Sequence, residues 1–355
     1  MKNKPAFNLF IAVALLLHLP LFAYPVLRLS QWLDLSHLVT WLIFIPVFFS
    51  QIFARKILVN KRGLLVFFLR NAADFLLGLF LVVLVVLLVF EVVVLATGLS
   101  VMIAAQCVIF LSSIAVISGA LHAMNPVVIN IKLQSKKLTK PIRFVQISDV
   151  HIGSRSIRFL EILMKRIEAL DADFLCITGD FIDQPNISVD KLKSLGQFSK
   201  PIYYCTGNHE RYEDLEDILD RLRSHGVQVL RNQTVEVESM QFIGIDDRED
   251  ALQVSKQLKN IAINPDLYSI LLYHRPVGLE VCHEHGIDLM LSGHTHGGQI
   301  VPFNLLVNRV FERTSGLYSY GSSSLYVSEG TGTWGPMIRL GTRSEITVFE
   351  VSNIS

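Results

Sequence analysis

The chain has 355 residues, of which 51% are hydrophobic and only 18% charged, with a formal net charge of +1. A mean hydropathy of +0.44 is too high for an ordinary soluble domain, and the excess falls before residue 124. The near-neutral balance argues against a general nucleic-acid binder. Cys107, Cys176, Cys205 and Cys282 form no Cys-x-x-Cys pair and read as buried thiols, not as a disulfide frame.

Four apolar stretches, Phe7 to Val26, Leu38 to Phe53, Phe75 to Ala96 and Val101 to His122, can each cross a bilayer, which takes about 20 residues of helix. Lys2 and Lys4 precede the first, as in a signal peptide. No small-x-small cleavage site follows and three further spans do, so this stretch reads as retained. Basic residues gather at the N-terminus, in the second connection (Arg55, Lys56, Lys61, Arg62, Arg70) and after the fourth span (Lys132, Lys136, Lys137, Lys140, Arg143). The first connection offers Arg28 opposed by Asp34, and the third, around Gly98, has no charge. By the positive-inside rule both chain ends lie inside, which predicts a multi-pass inner-membrane protein with a cytoplasmic C-terminal half. Tyr24, Trp32 and Trp41 suit the outer interface. Arg70 and Asp74, four residues apart, read as an interfacial ion pair, and Glu91 as a group near an outer helix end within reach of water. No internal repeat or broken helix marks a transporter.

Pro126 closes this region, so the expected domains are a four-helix transmembrane domain over 1–124 and a second domain over 126–355. Val127 to Leu133 alternates apolar and polar residues, as an edge strand does. After it, short apolar strands are followed again and again by polar, ligand-type residues. Ile142 to Ile147 runs into Asp149 and His151, and Phe174 to Thr178 into Gly179, Asp180 and Asp183. Ile202 to Cys205 runs into Gly207, Asn208, His209 and Glu210, Ser269 to Leu272 into His274, and Leu289 to Leu291 into Gly293, His294 and His296. Amphipathic helical patterns fill the gaps at Ile157 to Leu170, Val189 to Phe198, Tyr212 to His225, Ala251 to Ile261 and Val277 to His285. Strands with ligands at their ends, interleaved with helices, predict a layered α/β domain whose site lies at one sheet edge. Leu325 to Ser328 and Glu345 to Val351 are strands without an intervening helix, so the sheet is expected to be mixed. His294 and His296 project to the same side of extended backbone, and flanking glycines let the main chain approach a ligand. Mixed imidazole, carboxylate and amide ligands suit Mn, Fe or Zn.

Taken in order, Asp149-x-His151, Gly179-Asp180, Gly207-Asn208-His209-Glu210, His274 and Gly293-His294-x-His296 make the chain resemble the calcineurin-like metallophosphoesterases. The His-Thr-His-Gly-Gly-Gln form at 294–299, with Glu329-Gly330-Thr331-Gly332 after it, is most similar to the branch that includes membrane-associated bacterial enzymes. The resemblance covers residues 126–355 and implies a layered α/β/β/α sandwich and a metal-dependent phosphoric ester hydrolase. Carried over by position, Asp149, His151, Asp180 and His296 hold one divalent transition-metal ion, Mn foremost and Fe or Zn otherwise. Asn208, His274, His294 and the shared Asp180 hold the second. A bridging carboxylate suits cations about 3.5–4 Å apart, which lower the pKa of a water between them and clamp phosphate oxygens. His209 is then the family's non-ligand histidine, which bonds the phosphoryl oxygen or protonates the leaving oxygen. Asp183 stands where the protein-phosphatase branch has the aspartate that orients that histidine. Gln184-Pro185 replaces that branch's phosphate-binding arginine, which counts against protein phosphatase activity, and soluble lipid A pyrophosphatases have arginine where His209 stands.

These readings lead to a phosphodiesterase or pyrophosphatase acting at the cytoplasmic membrane face on a membrane lipid or lipid-linked phosphate. The resemblance points to a UDP-diacylglucosamine-like precursor cleaved at its pyrophosphate. The alternatives are a nuclease or cyclic-nucleotide-type phosphodiesterase of the same superfamily, and a membrane receptor or scaffold with a vestigial site. No nucleic-acid partner is expected. Val301-Pro302-Phe303 and Trp334-Gly335-Pro336-Met337-Ile338 read either as apolar surface beside the site or as core strands. Cys282-His283-Glu284-His285 looks metal-like but ends a helix outside the motif set, and is read as structural.

Overall fold

In the computed structural model of the chain, residues 18–58, 61 and 63–353 are described. They fall into two compact units, residues 1–121 with 335–340, and residues 122–334 with 341–355. The short segment Gly335–Leu340 groups with the N-terminal helices.

The first unit contains α1 (Tyr24–Trp32), α2 (His37–Ile52), α3 (Leu64–Thr97) and most of α4 (Val101–Met124). Most of the expected first span, including Phe7, and the basic residues Lys2, Lys4 and Arg62 lie outside the described residues. Among the described residues, three helical stretches are long and apolar enough to cross a membrane: His37–Ile57, Leu64–Thr97 and Val101–Met124. Ser36 caps α2, its hydroxyl accepting from Val39 N at 3.4 Å, and Gly98 ends α3 in the left-handed conformation that favours glycine. α3 starts eleven residues before the expected span at Phe75. At 34 residues it is about 50 Å long by helix rise, well beyond the bilayer's apolar core. Glu91 is not left to water. Arg28 donates to both its oxygens and Tyr24 Oη donates at 2.8 Å, which offsets the cost of charge in an apolar setting. Arg28 also lies over the Trp32 ring at 5.0 Å, and Trp32 is buried, not interfacial as expected; Trp41 is exposed. Asp74 pairs with Arg55 at 3.0 Å, and Arg70 donates to Leu58 O.

Gly335–Leu340 packs within this unit through two glycines. A Cβ at Gly78 would stand 2.8 Å from Pro336 Cβ, and one at Gly119 would stand 2.6 Å from Ile338 Cγ2. Arg339 N donates to Gly119 O at 2.9 Å. Only glycine lets the backbone come this close.

The second unit is a four-layer sandwich. One sheet orders its strands β1 (Val127–Ser135), β12 (Glu345–Asn353), β2 (Ile142–Ile147), β3 (Phe174–Thr178), β4 (Ile202–Cys205) and β5 (Val227–Val229). The other runs β10 (Gly316–Tyr320), β11 (Ser323–Val327), β9 (Leu289–Ser292), β8 (Tyr268–Leu272), β7 (Met240–Gly244) and β6 (Gln233–Val237). β1 is an edge strand as expected. Both sheets are mixed: β2 to β5 are parallel while β12 meets β2 antiparallel, and β7, β8, β9 and β11 are parallel between antiparallel β6 and β10.

Both faces of the central strands are buried, so their sequences read as unbroken apolar runs. Along β2 and β3, Phe144, Phe174 and Cys176 point between the sheets, while Val145, Ile147, Leu175 and Ile177 point outward. The inner core is aromatic. Phe144 stacks between Phe174 and Phe349 at 4.7 Å on each side, and Phe242 of the second sheet lies 3.7 Å from Tyr203 of the first. Such pairs add about 0.5–1.5 kcal/mol each beyond their area burial. On the outer faces, α5 (Ile157–Glu168), the 3-10 turn Val189–Leu192 with α6 (Lys193–Gly196), and α8 (Leu215–Ser224) cover the first sheet. α9 (Gln253–Leu258) and α10 (Leu279–Glu284) cover the second. The helix expected from Tyr212 to His225 is present as α8, and a separate short helix, α7 (Asn208–Tyr212), ends where it was expected to begin. Val301-Pro302-Phe303, expected as apolar surface or a core strand, leads instead into a helix, α11 (Phe303–Val310), which buries none of its residues. Cys107, Cys176, Cys205 and Cys282 are free thiols.

Candidate metal centre

Every ligand-type residue named from sequence lies just after a parallel strand, β2, β3, β4, β8 or β9, either on the following loop or, for Asn208, His209 and His296, in the short helical turn that follows it. These loops are tightly bent. Asp149, His151, Asp180, His294 and His296 all have positive φ, from 49° to 75°. A non-glycine residue in that region costs on the order of 1–3 kcal/mol, and such strain gathers where the surrounding structure imposes a function. Two glycines bring the loops together. A Cβ at Gly293 would overlap Ser148 Oγ and Asp149 Oδ2, and one at Gly207 would overlap the Asp180 carboxylate. The late Glu329-Gly330-Thr331-Gly332 turn backs the first loop, with Thr331 N donating to Ser148 O at 2.7 Å and Gly332 N to Asp149 O at 3.0 Å.

The side chains converge in two groups. Asp149, His151 and His296 offer ligand atoms within 4.8 Å of one another, and so do Asp180, His274 and His294. His296 Nε2 lies 3.3 Å from both Asp149 Oδ1 and His151 Nε2. His274 Nε2 lies 3.1 Å from Asp180 Oδ2 and 3.2 Å from His294 Nδ1. The second oxygens of both aspartates are occupied: His294 N donates to Asp149 Oδ2 at 3.0 Å, and His209 N donates to Asp180 Oδ1 at 2.8 Å. His274 Nδ1 donates to Thr178 O at 2.8 Å, which fixes the ring and turns Nε2 toward Asp180.

Among the described residues, Asp149 Oδ1, His151 Nδ1 and Asn208 Oδ1 are buried without a hydrogen-bond partner. Orphaned buried acceptors are costly. A carboxylate oxygen and an amide oxygen left bare beside imidazoles fit divalent cations. Burial opposes protonation of His274, yet Asp180 beside it pushes its pKa up to about 10. Burial and then the His274 charge hold His294 well below its ordinary value.

Asp183 and His209 are placed beside these groups. Asp183 is expected to orient His209, but its oxygens accept from Ser154 N at 2.9 Å and Ser154 Oγ at 2.5 Å. Its Oδ2 faces His151 Nδ1 at 3.6 Å. His209 shares a cluster with His151 and Asp183 in which the polar atoms lie within 4.8 Å, and its ring meets that of His151 edge-on at 4.7 Å. Serine holds Asp183 through both oxygens, so its fixed orientation serves His151 at least as directly as His209.

Two supporting groups carry no role in the sequence reading. Glu210 is fully buried and accepts from the backbone N–H groups of Asp180, Phe181, Ile182 and Gly207 at 2.6–3.1 Å. It clamps the loop after β3 to the loop after β4. Its place as the fourth residue of Gly-Asn-His-Glu is the signal that could have found it. Asp246 accepts from Thr206, Arg211 and Arg231 and braces the same loop from behind. By contrast, His283 bonds Ser322 and His285 bonds Val281 O, and neither joins a ligand group among the described residues.

Comparison with known proteins agrees with this geometry. The calcineurin-like phosphoesterase family pattern matches residues 142–298. An uncharacterised metallophosphoesterase of Campylobacter jejuni is 33% identical over 64% of this chain and 63% of its own length. One from Aquifex aeolicus is 31% identical over 67% of this chain and 97% of its own. A transmembrane protein with metallophosphoesterase domain from Bos taurus is 29% identical over 67% of this chain and 60% of its own. The chain thus spans about three fifths of the length of the Campylobacter and Bos relatives. With its converging ligand groups and this likeness, the chain belongs to the calcineurin-like metallophosphoesterases, and its described residues also include helices long and apolar enough to cross a membrane.

Proposed function

We propose that this hydrolase cleaves a phosphodiester or pyrophosphate bond in an amphiphilic substrate at the cytoplasmic membrane face, with two divalent ions. The observation that carries the two-ion reading is the presence of two separate ligand groups, Asp149–His151–His296 and Asp180–His274–His294, with bare acceptors on Asp149 and Asn208. Asp149, His151, His296 and Asp180 would hold one ion, and Asn208, His274, His294 and Asp180 the other. When bound, such a pair supplies Lewis acidity and a hydroxide nucleophile near neutral pH. The chain's own residues do the rest. Thr178 O and His294 N fix the orientation of His274 and Asp149. Burial and then His151 lower the pKa of His209 from its ordinary value, so a neutral ring offers its N–H to a phosphoryl or leaving oxygen.

The substrate reading rests on connection. α4 ends at Met124 and β1 begins at Val127. A tether of this length reaches only about 10 Å, which leaves the site little freedom to sample bulk solutes. The basic residues after α4 support a cytoplasmic, inner-membrane placement of the site. A lipid-linked pyrophosphate of the UDP-diacylglucosamine kind is the proposed substrate class, with no nucleic-acid partner. The test compares hydrolysis of such a pyrophosphate with its deacylated analogue in mixed micelles. A higher kcat/KM for the acylated form is expected, and equal values would refute the lipid reading while leaving the metal chemistry standing.

A further inference from the structure

α11 follows the loop that carries His294 and His296, and its exposed side shows Phe303, Leu305, Leu306 and Val310 beside Asn308 and Arg309. Phe303, Leu306 and Val310 fall on one stripe by their i, i+3, i+7 spacing. Leu305, Leu306 and Val310 are 63%, 58% and 75% exposed. The only charge in the helix is Arg309. Leaving so much contiguous apolar surface in water is unfavourable by roughly 25 cal/mol per Å².

Both ends of α11 are fixed. At its C-terminus, the Phe311 ring meets the ring of His294 edge-on at 5.3 Å. The apolar face is therefore one residue from a group that touches a candidate metal ligand. Before its N-terminus, Gln299 exchanges two hydrogen bonds with the Trp334 backbone, Nε2 to O at 3.1 Å and Oε1 from N at 2.9 Å. Trp334 is itself exposed. The chain then continues directly into Gly335–Leu340, which packs with the membrane-capable helices through Gly78 and Gly119. An exposed tryptophan at that passage suits the headgroup level of a bilayer.

We propose that α11 and Trp334 lie in the membrane interface, with Phe303, Leu306 and Val310 in contact with lipid hydrocarbon, and form the lipid-facing wall of the metal site. This rests on the reading that the N-terminal helices cross a bilayer and that the substrate is amphiphilic. It adds the specific path: acyl chains run along α11 and deliver the phosphate past Phe311 to the ligand loops. A short amphipathic helix with one basic residue lies in an interface without spanning it.

The test uses the full chain carrying Cys107→Ser, reconstituted in nanodiscs of phosphatidylcholine with brominated acyl chains. A thiol-reactive environment-sensitive fluorophore is placed singly through Leu306→Cys, Val310→Cys, Val92→Cys in α3, or Leu252→Cys, which is exposed beside α9. Fluorescence at 306 and 310 should be quenched and blue-shifted to an extent comparable with position 92, while position 252 is unchanged. Quenching at 92 with none at 306 and 310 overturns the proposal and leaves the membrane reading intact. No quenching at 92 removes the membrane reading and this proposal with it. Hydrolysis of bis-p-nitrophenyl phosphate by unlabelled protein tests the hydrolase reading separately.

Discussion

His209 is the residue where positioning and chemistry can be separated. Its backbone is held by Asp180 and its ring lies against His151, yet it stands in neither the Asp149–His151–His296 group nor the Asp180–His274–His294 group. His209→Ala is predicted to keep the wild-type metal content and to lose turnover by about 10²–10⁴-fold, the usual worth of acid–base help. Metal analysis and steady-state kinetics on one preparation check both halves. Asp183→Asn is predicted to behave differently. Because Asp183 faces His151 from a serine cradle, its loss should weaken metal retention by roughly 10–100-fold, as orienting partners of metal ligands do. Unchanged metal affinity, with a kinetic loss that vanishes in a His209→Ala background, would return Asp183 to the orienting role read from sequence. Which histidine Asp183 serves is invisible in the sequence, because Ser154 joins it only through the fold.

At the scale of elements, the site is a set of loops pulled together by buried polar groups. Glu210→Ala would strip the acceptor from four backbone N–H groups, including that of Asp180. An unsatisfied buried donor costs about 1–3 kcal/mol, so a lowered Tm together with reduced metal content is predicted. Asp246 gives a pH signature. Burial raises its pKa, but Arg231, Thr206 and Arg211 outweigh this and hold it below its ordinary value of 3.8. Its stabilisation is complete above the unfolded value and is lost as pH falls through the lower folded one. Asp246→Asn should therefore lower Tm at pH 7, and the gap from wild type should close below about pH 4. A gap that stays constant with pH would show that the carboxylate charge is not what braces the loop.

The elements also show what was legible. Strands β2, β3, β4, β8 and β9 could be read because burial on both faces turns each into an apolar run with ligands directly after it. β5 and β6 do not show in the sequence, because β5 has three residues and β6 is only half-buried, so neither makes a clear run. α11 was obscured for another reason. Its apolar residues do not mark a core, and burial was the assumption behind the core-strand alternative for Val301-Pro302-Phe303.

For the whole molecule, a metallophosphoesterase domain follows membrane-capable helices across the tether at 125–126, and its late segment Gly335–Leu340 groups with those helices. Composition pointed to the helices. The return of a late segment to them could not be read, because Pro336 and Ile338 look like any core residues until Gly78 and Gly119 are seen to make room for them. The central claim remains the shared carboxylate. The most direct test is the metal content of purified full-length protein by elemental analysis, wild type against single substitutions of each ligand, with bis-p-nitrophenyl phosphate hydrolysis followed alongside. The account predicts two divalent ions per wild-type chain, activity lost on chelation and restored by Mn²⁺, and a larger metal loss in Asp180→Asn than in any other single ligand variant. Wild-type metal content in Asp180→Asn, or hydrolysis that survives chelation, would contradict it.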